Sequence, residues 1–144
     1  MSTQNYANHA RYVPGYHFVL SGVLLLTIIG SVVNFIVSLG NHERIYSASL
    51  IMVLSVCVFV TSFYARVFAL KAQDRAIRAE ENLRHFAMTG KLLDPRLSVL
   101  QTVALRFACD GEFVALAARA ANESLDPKVI KQAVKTWRAD EYRA

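Results

Sequence analysis

The run Phe18 to Leu39, FVLSGVLLLTIIGSVVNFIVSL, passes 22 residues without a formal charge, and a second such run, Ile45 to Ala65, follows almost at once. At 1.5 Å of rise per helical residue the first run reaches about 33 Å, against about 30 Å for the hydrocarbon core of a bilayer. Both runs read as transmembrane helices. The first is too long for the apolar region of a signal peptide, and 17 residues precede it, so it reads as an uncleaved span.

Charge divides the 144-residue chain. Residues 13–70 carry only Glu43, Arg44 and Arg66, whereas residues 71–144 hold 13 Lys or Arg against 10 Asp or Glu. The expected domains are an interfacial N-terminal segment (1–17), a two-helix hairpin (18–70) and a soluble-like tail (71–144). Mixed signs in the tail lack the dense basic patch of a nucleic-acid binder, so no nucleic acid is expected as a partner. Cys57 lies in the second run and Cys109 in the tail, which places them in different compartments and argues against a disulfide.

The N-terminal segment is rich in rings: Tyr6, Tyr12, Tyr16 and Phe18, with His9 and His17 among them. Tyrosines suit a membrane interface, where the ring meets acyl chains and the hydroxyl meets water. Pro14 and Gly15 are expected to interrupt a helix there. His9 and His17 do not suffice for zinc, which needs about four ligands, and no carboxylate or cysteine stands near them. No metal or other cofactor is expected.

The opening QNYANHARYVPGYHF, the two apolar runs and the ending ALRFACDGEFVALAARAANESLDPKVIKQAVKTWRADEYRA together resemble a family of small bacterial two-span membrane proteins, a domain of unknown function. The likeness covers nearly the whole chain. It implies a bacterial inner (plasma) membrane location and transfers no catalytic residue.

Only GNHER, Gly40 to Arg44, separates the runs, so the two helices are expected to be antiparallel neighbours. Arg11, Arg66, Lys71, Arg75 and Arg78 flank one side and Arg44 the other, which by the positive-inside rule predicts cytoplasmic termini and a periplasmic loop. Lipid supplies no hydrophobic drive between helices, so small and weakly polar residues mark the expected contact: Thr27, Ser31, Asn34 and Ser38 on the first helix, Ser55, Cys57, Thr61 and Ala65 on the second. Asn34 is expected at the depth of Ser55. Neither span holds an Asp, Glu, Lys or His at its core, which weighs against a proton relay or ion-coupled transport.

Past Leu70 no Pro or Gly occurs before Gly90, which predicts a second helix running from Ser47 to Met88, with i,i+4 pairs Asp74–Arg78 and Glu80–Arg84. Asp94–Pro95, Asp110 and Asp126–Pro127 read as starts of three further helices, ending near Ala108, Glu123 and Asp140. On the last of these Lys128, Lys131, Lys135 and Arg138 would share a face opposite Ile130, Val134 and Trp137. That basic row reads as a solvated face or as a contact with an anionic surface.

The expected fold is all-α: a transmembrane hairpin with a long second helix and a small cytoplasmic helical tail. No phosphate loop, HExxH motif or local nucleophile–base pair is present, and Cys109 and His85 lie in no motif. These features favour a non-catalytic structural, scaffolding or accessory subunit, partnered by the bilayer and by a homo-oligomer or a larger membrane complex. The alternatives are an oligomeric pore or transport component, favoured if Thr27, Ser31, Asn34 and Ser38 line an axis, and an enzyme on a lipid substrate using His85 or His17.

Overall fold

A computed structural model describes residues 4–8 and 12–140, and the described residues are all-α apart from one isolated bridge. His9 and Arg11 lie outside them. A short π-helical turn, Gly15–Leu20, leads into α1, Ser21–Val37; α2 is His42–Thr89, α3 Val99–Leu105, α4 Asp110–Asn122 and α5 Pro127–Ala133. Pro14 stands at the start of the first helical stretch rather than breaking one, because a proline lacks only an N–H that the first turn leaves unpaired anyway. Two helical stretches, Gly15–Val37 and His42–Thr89, are long and apolar enough to cross a bilayer.

The chain forms two compact units. Tyr12–Ala69 is the apolar unit. Its connection is tighter and earlier than GNHER, with Gly40 at φ +88°, a conformation that suits glycine, before α2 opens at His42. Most outward side chains of both helices are hydrocarbon: Leu26 is 69% exposed, Val37 77% and Leu54 62%.

Leu70–Ala144, joined by N-terminal residues, forms the other unit. Here α2 continues to Thr89 without Pro or Gly and stops at Gly90, φ +72°, whose N–H reaches the Phe86 carbonyl at 2.7 Å. The core gathers Leu93, Leu97, Leu105, Phe113, Leu116, Ala120, Ile130 and Val134.

Two tail helices are shorter than the cap signals predict. Asp94 opens no helix, because its carboxylate takes the backbone N–H and guanidinium of Arg96 in a turn; α3 starts four residues later, where Ser98 and Gln101 exchange capping bonds. α5 keeps its Asp126 cap and Pro127 but ends at Ala133, not Asp140. Beyond it the chain runs extended against Phe107–Cys109: Cys109 N–H donates to Thr136, Arg138 N–H donates to Phe107 at 2.8 Å, and Ala108 bridges Trp137. The Trp137 ring stacks on Phe107 at 4.8 Å, a contact that a continued helix would forgo.

Candidate functional site

Within the apolar unit the helices meet on a seam of small residues. Ser31, Ser38, Ala48 and Ser55 are buried, and Leu24, Ile28, Phe35, Ile45, Met52 and Ser62 are partly buried around them. On α1 these positions recur at steps of four and three, the 3.5-residue spacing that keeps one stripe facing a partner helix. Ser31 Oγ and Ser55 Oγ lie 3.0 Å apart, and each hydroxyl also reaches a carbonyl of its own helix, Ile28 or Met52, at 2.8 Å. Seven residues toward the turn, Ser38 and Ala48 occupy the equivalent places. Nearer the other end the Tyr16 hydroxyl donates to the Ser62 carbonyl.

Ser55 therefore pairs with Ser31 rather than with Asn34. Asn34 lies about 60° around α1 from Ser31 at 100° per residue, off the stripe that the 3.5-residue spacing selects. Asn34 and Thr27 are exposed on α1, and Thr27 returns its hydroxyl to the Val23 carbonyl. Cys57, Thr61 and Ala65 are likewise exposed on α2. Of the eight small residues marked for helix contact, Ser31, Ser38 and Ser55 lie on the seam.

The charged centre of the other unit is Glu81, buried at 4% exposure although carboxylates avoid the interior unless paired. Arg84 supplies one partner at 2.9 Å and Arg138 another at 3.6 Å. The same Arg84 guanidinium reaches Asp110 at 2.6 Å and the Ala108 carbonyl at 2.8 Å, and lies over the Phe113 ring. It thus ties α2 to the start of α4, taking Glu81 and Asp110 where the i,i+4 rule pointed to Glu80. Asp110 holds its proton less tightly than an ordinary aspartate, first through the Arg84 hydrogen bond and then through its charge. Asp94 is brought down to about 2 by hydrogen bonds from the Arg96 side chain and backbone. An open cleft of about 520 Å³ beside this network is lined by Ile77, Glu81, Arg106, Arg138 and Asp140. Its charges oppose one another: Arg106 meets Asp140 at 3.1 Å.

The four basic residues do not form one helix face. Lys128 and Lys131 lie on α5, Lys131 over the Phe107 ring, while Lys135 and Arg138 follow in the extended segment. Glu112 holds that segment by accepting from the backbone of Lys135 and Thr136.

His85, His17 and Cys109 make local contacts. His85 Nδ1 lies 2.7 Å from the Lys91 carbonyl and closes the turn after α2. His17 sits edge-on between Tyr12 and Tyr16, with Nδ1 beside the Val13 backbone. The Cys109 thiol faces Glu112 at 3.8 Å. Among the described residues no group of three or more His, Cys, Asp or Glu is placed to hold a metal ion.

Sequence reasoning passed over the Ser98–Gln101 capping box, although S-x-x-Q before an apolar run is its signature. It also passed over Ala48, seven residues before Ser55 and buried on the same seam. The Arg84–Asp110 pair, 26 positions apart, left no local signal.

Over residues 1–144 the chain matches the model of DUF6526, described as a family of unknown function. No curated protein and no solved structure matches it.

Proposed function

The chain belongs to DUF6526, a family of unknown function, and from its architecture we propose an integral protein of the bacterial inner membrane. Its α1–α2 hairpin is the anchor, both termini are cytoplasmic, and the tail unit is a non-catalytic structural or accessory module held at the membrane face. The observation that carries this is the exterior of the apolar unit. Ser31, Ser38 and Ser55 turn inward while Leu26, Val37 and Leu54 turn outward, the arrangement of helices packed by small residues in lipid. A unit in water would bury its hydrocarbon instead.

The bond from Asp140 N–H to Gln4 Oε1, 2.8 Å, supports an even number of crossings, since residues 4 and 140 then share one side. The pore reading loses support at Ser31 and Ser38, which face α2. The tail network supports a structural role: its buried carboxylate is paired with arginines on both oxygens, leaving no free base at its centre.

The test is alkaline carbonate extraction of membranes holding the full chain, together with reporter fusions at both ends. Retention in the pellet with cytoplasmic reporters at each end is expected. Release into the supernatant, or an external C-terminal reporter, would overturn the reading.

A further inference from the structure

Between Ala72 and Phe86 α2 presents two opposite faces. One face is spent: Ile77 and Glu81 are buried in the tail unit, and Arg84 points to Asp110. On the opposite side Ala72, Ala76, Ala79, Leu83 and Phe86 recur at steps of four, three, four and three, and all five are exposed. Leu83 is 68% exposed and Phe86 51%, large hydrocarbon surfaces for a segment read as standing in water. The spacing is the a/d seam of a coiled coil, with Ala76 and Leu83 at a and Ala72, Ala79 and Phe86 at d.

We propose that this face is a self-association surface, where α2 of one copy pairs in parallel with α2 of a second copy. The inference rests on the membrane reading for its direction. Copies sharing one bilayer and one topology send α2 out of the membrane in the same N-to-C sense, and α2 contains no Pro or Gly to turn it. The flanking charges agree with that direction. Arg75 occupies the g position and Glu80 the following e position; both are exposed, and neither is in an ion pair among the described residues. In a parallel pair each g residue faces the e residue five positions on in the other copy, so Arg75 meets Glu80 twice about the two-fold axis. An antiparallel pair sets g against g and e against e, and forfeits both contacts.

About two heptads are too few to hold two free helices together. Anchoring changes that balance, because confinement to one surface raises the effective concentration of the second copy toward the millimolar range, roughly as a short linker does. Three alanines on the seam let the backbones approach closely, and Leu83 and Phe86 close its far end.

The experiment uses the full chain in native membranes with Cys57→Ala and Cys109→Ala, a single new cysteine, and a short bis-maleimide. Ala79→Cys lies at d against its own copy and is expected to cross-link as a dimer; Val129→Cys, exposed on α5, is expected to give less than about a tenth of that yield. Adding Arg75→Glu to Ala79→Cys is expected to lower the yield several-fold, about what two exposed ion pairs turned to repulsion produce. Restoring the pairing with Glu80→Arg on the same chain should bring the yield back. Equal yields at positions 79 and 129, or no recovery in the double swap, would overturn the proposal.

Carbonate extraction of the same membranes reads the anchor separately. A retained chain that does not cross-link at position 79 defeats the pairing and leaves the anchor. A released chain that still cross-links there defeats the anchor and leaves the pairing.

Discussion

At the level of single residues Arg84 does the most, because four groups depend on one guanidinium: the Glu81 and Asp110 carboxylates, the Ala108 carbonyl and the Phe113 ring. Its loss leaves Glu81, a carboxylate that folding has already taken out of water, with only the longer Arg138 contact at 3.6 Å. Arg84→Met is therefore expected to destabilise the tail unit by roughly 3 kcal/mol, and Arg84→Met with Glu81→Met by less, since the buried carboxylate is then gone. Trp137, the only tryptophan, stacks on Phe107 and reports the loss as a fluorescence midpoint in denaturant. Acid acts on the same class of contact. Asp94 titrates at about 2 when folded, below its ordinary value of about 3.9, so its contribution is complete above pH 4 and fades as pH falls through 2. Wild-type stability is expected to drop between pH 4 and pH 2, and the Asp94→Asn protein to show a shallower drop by the same fluorescence.

At the level of elements the α1–α2 seam is narrow, and its tolerance is asymmetric. Ala48 is 1% exposed against α1, so Ala48→Leu is expected to cost about 2 kcal/mol through overpacking. Thr61→Leu, on the exposed side of α2, is expected to be close to neutral. Denaturation of the full chain in mixed detergent, followed by helical circular dichroism, compares the two. Length and charge made α1 and α2 legible in the sequence, and Gly90 marked the end of α2, because these signals act within one turn of the residues that carry them. Which small residues form the seam was half legible: every serine and threonine satisfies the same composition rule, and only the register between two helices separates Ser31 from Asn34. The ends of α3 and α5 were hidden for a different reason. Arg96, two residues on, captures the Asp94 carboxylate, and beyond the retained Asp126 cap Trp137 lies on Phe107 rather than in a helix. The Glu81 network was hidden as well, since its members come from α2, the start of α4 and the extended segment after α5.

For the molecule as a whole, division into two units separates two kinds of packing. Tyr12–Ala69 is held by small residues and hydroxyl contacts and leaves its hydrocarbon outside, whereas the tail unit buries Phe113, Leu105 and Ile130 completely. The proposed role needs both: a hairpin to hold position and a folded module to present. One further consequence lies in the bond between Asp140 and Gln4, 136 positions apart. Residue 4 leaves the ribosome before residue 140 and, at about 5–20 residues per second, waits on the order of ten seconds for its acceptor to be used. Both apolar helices are synthesised in that interval. The tail unit therefore closes last, and a chain stalled before Val134 lacks the extended segment that lies along Phe107 as well as the donor that Gln4 awaits.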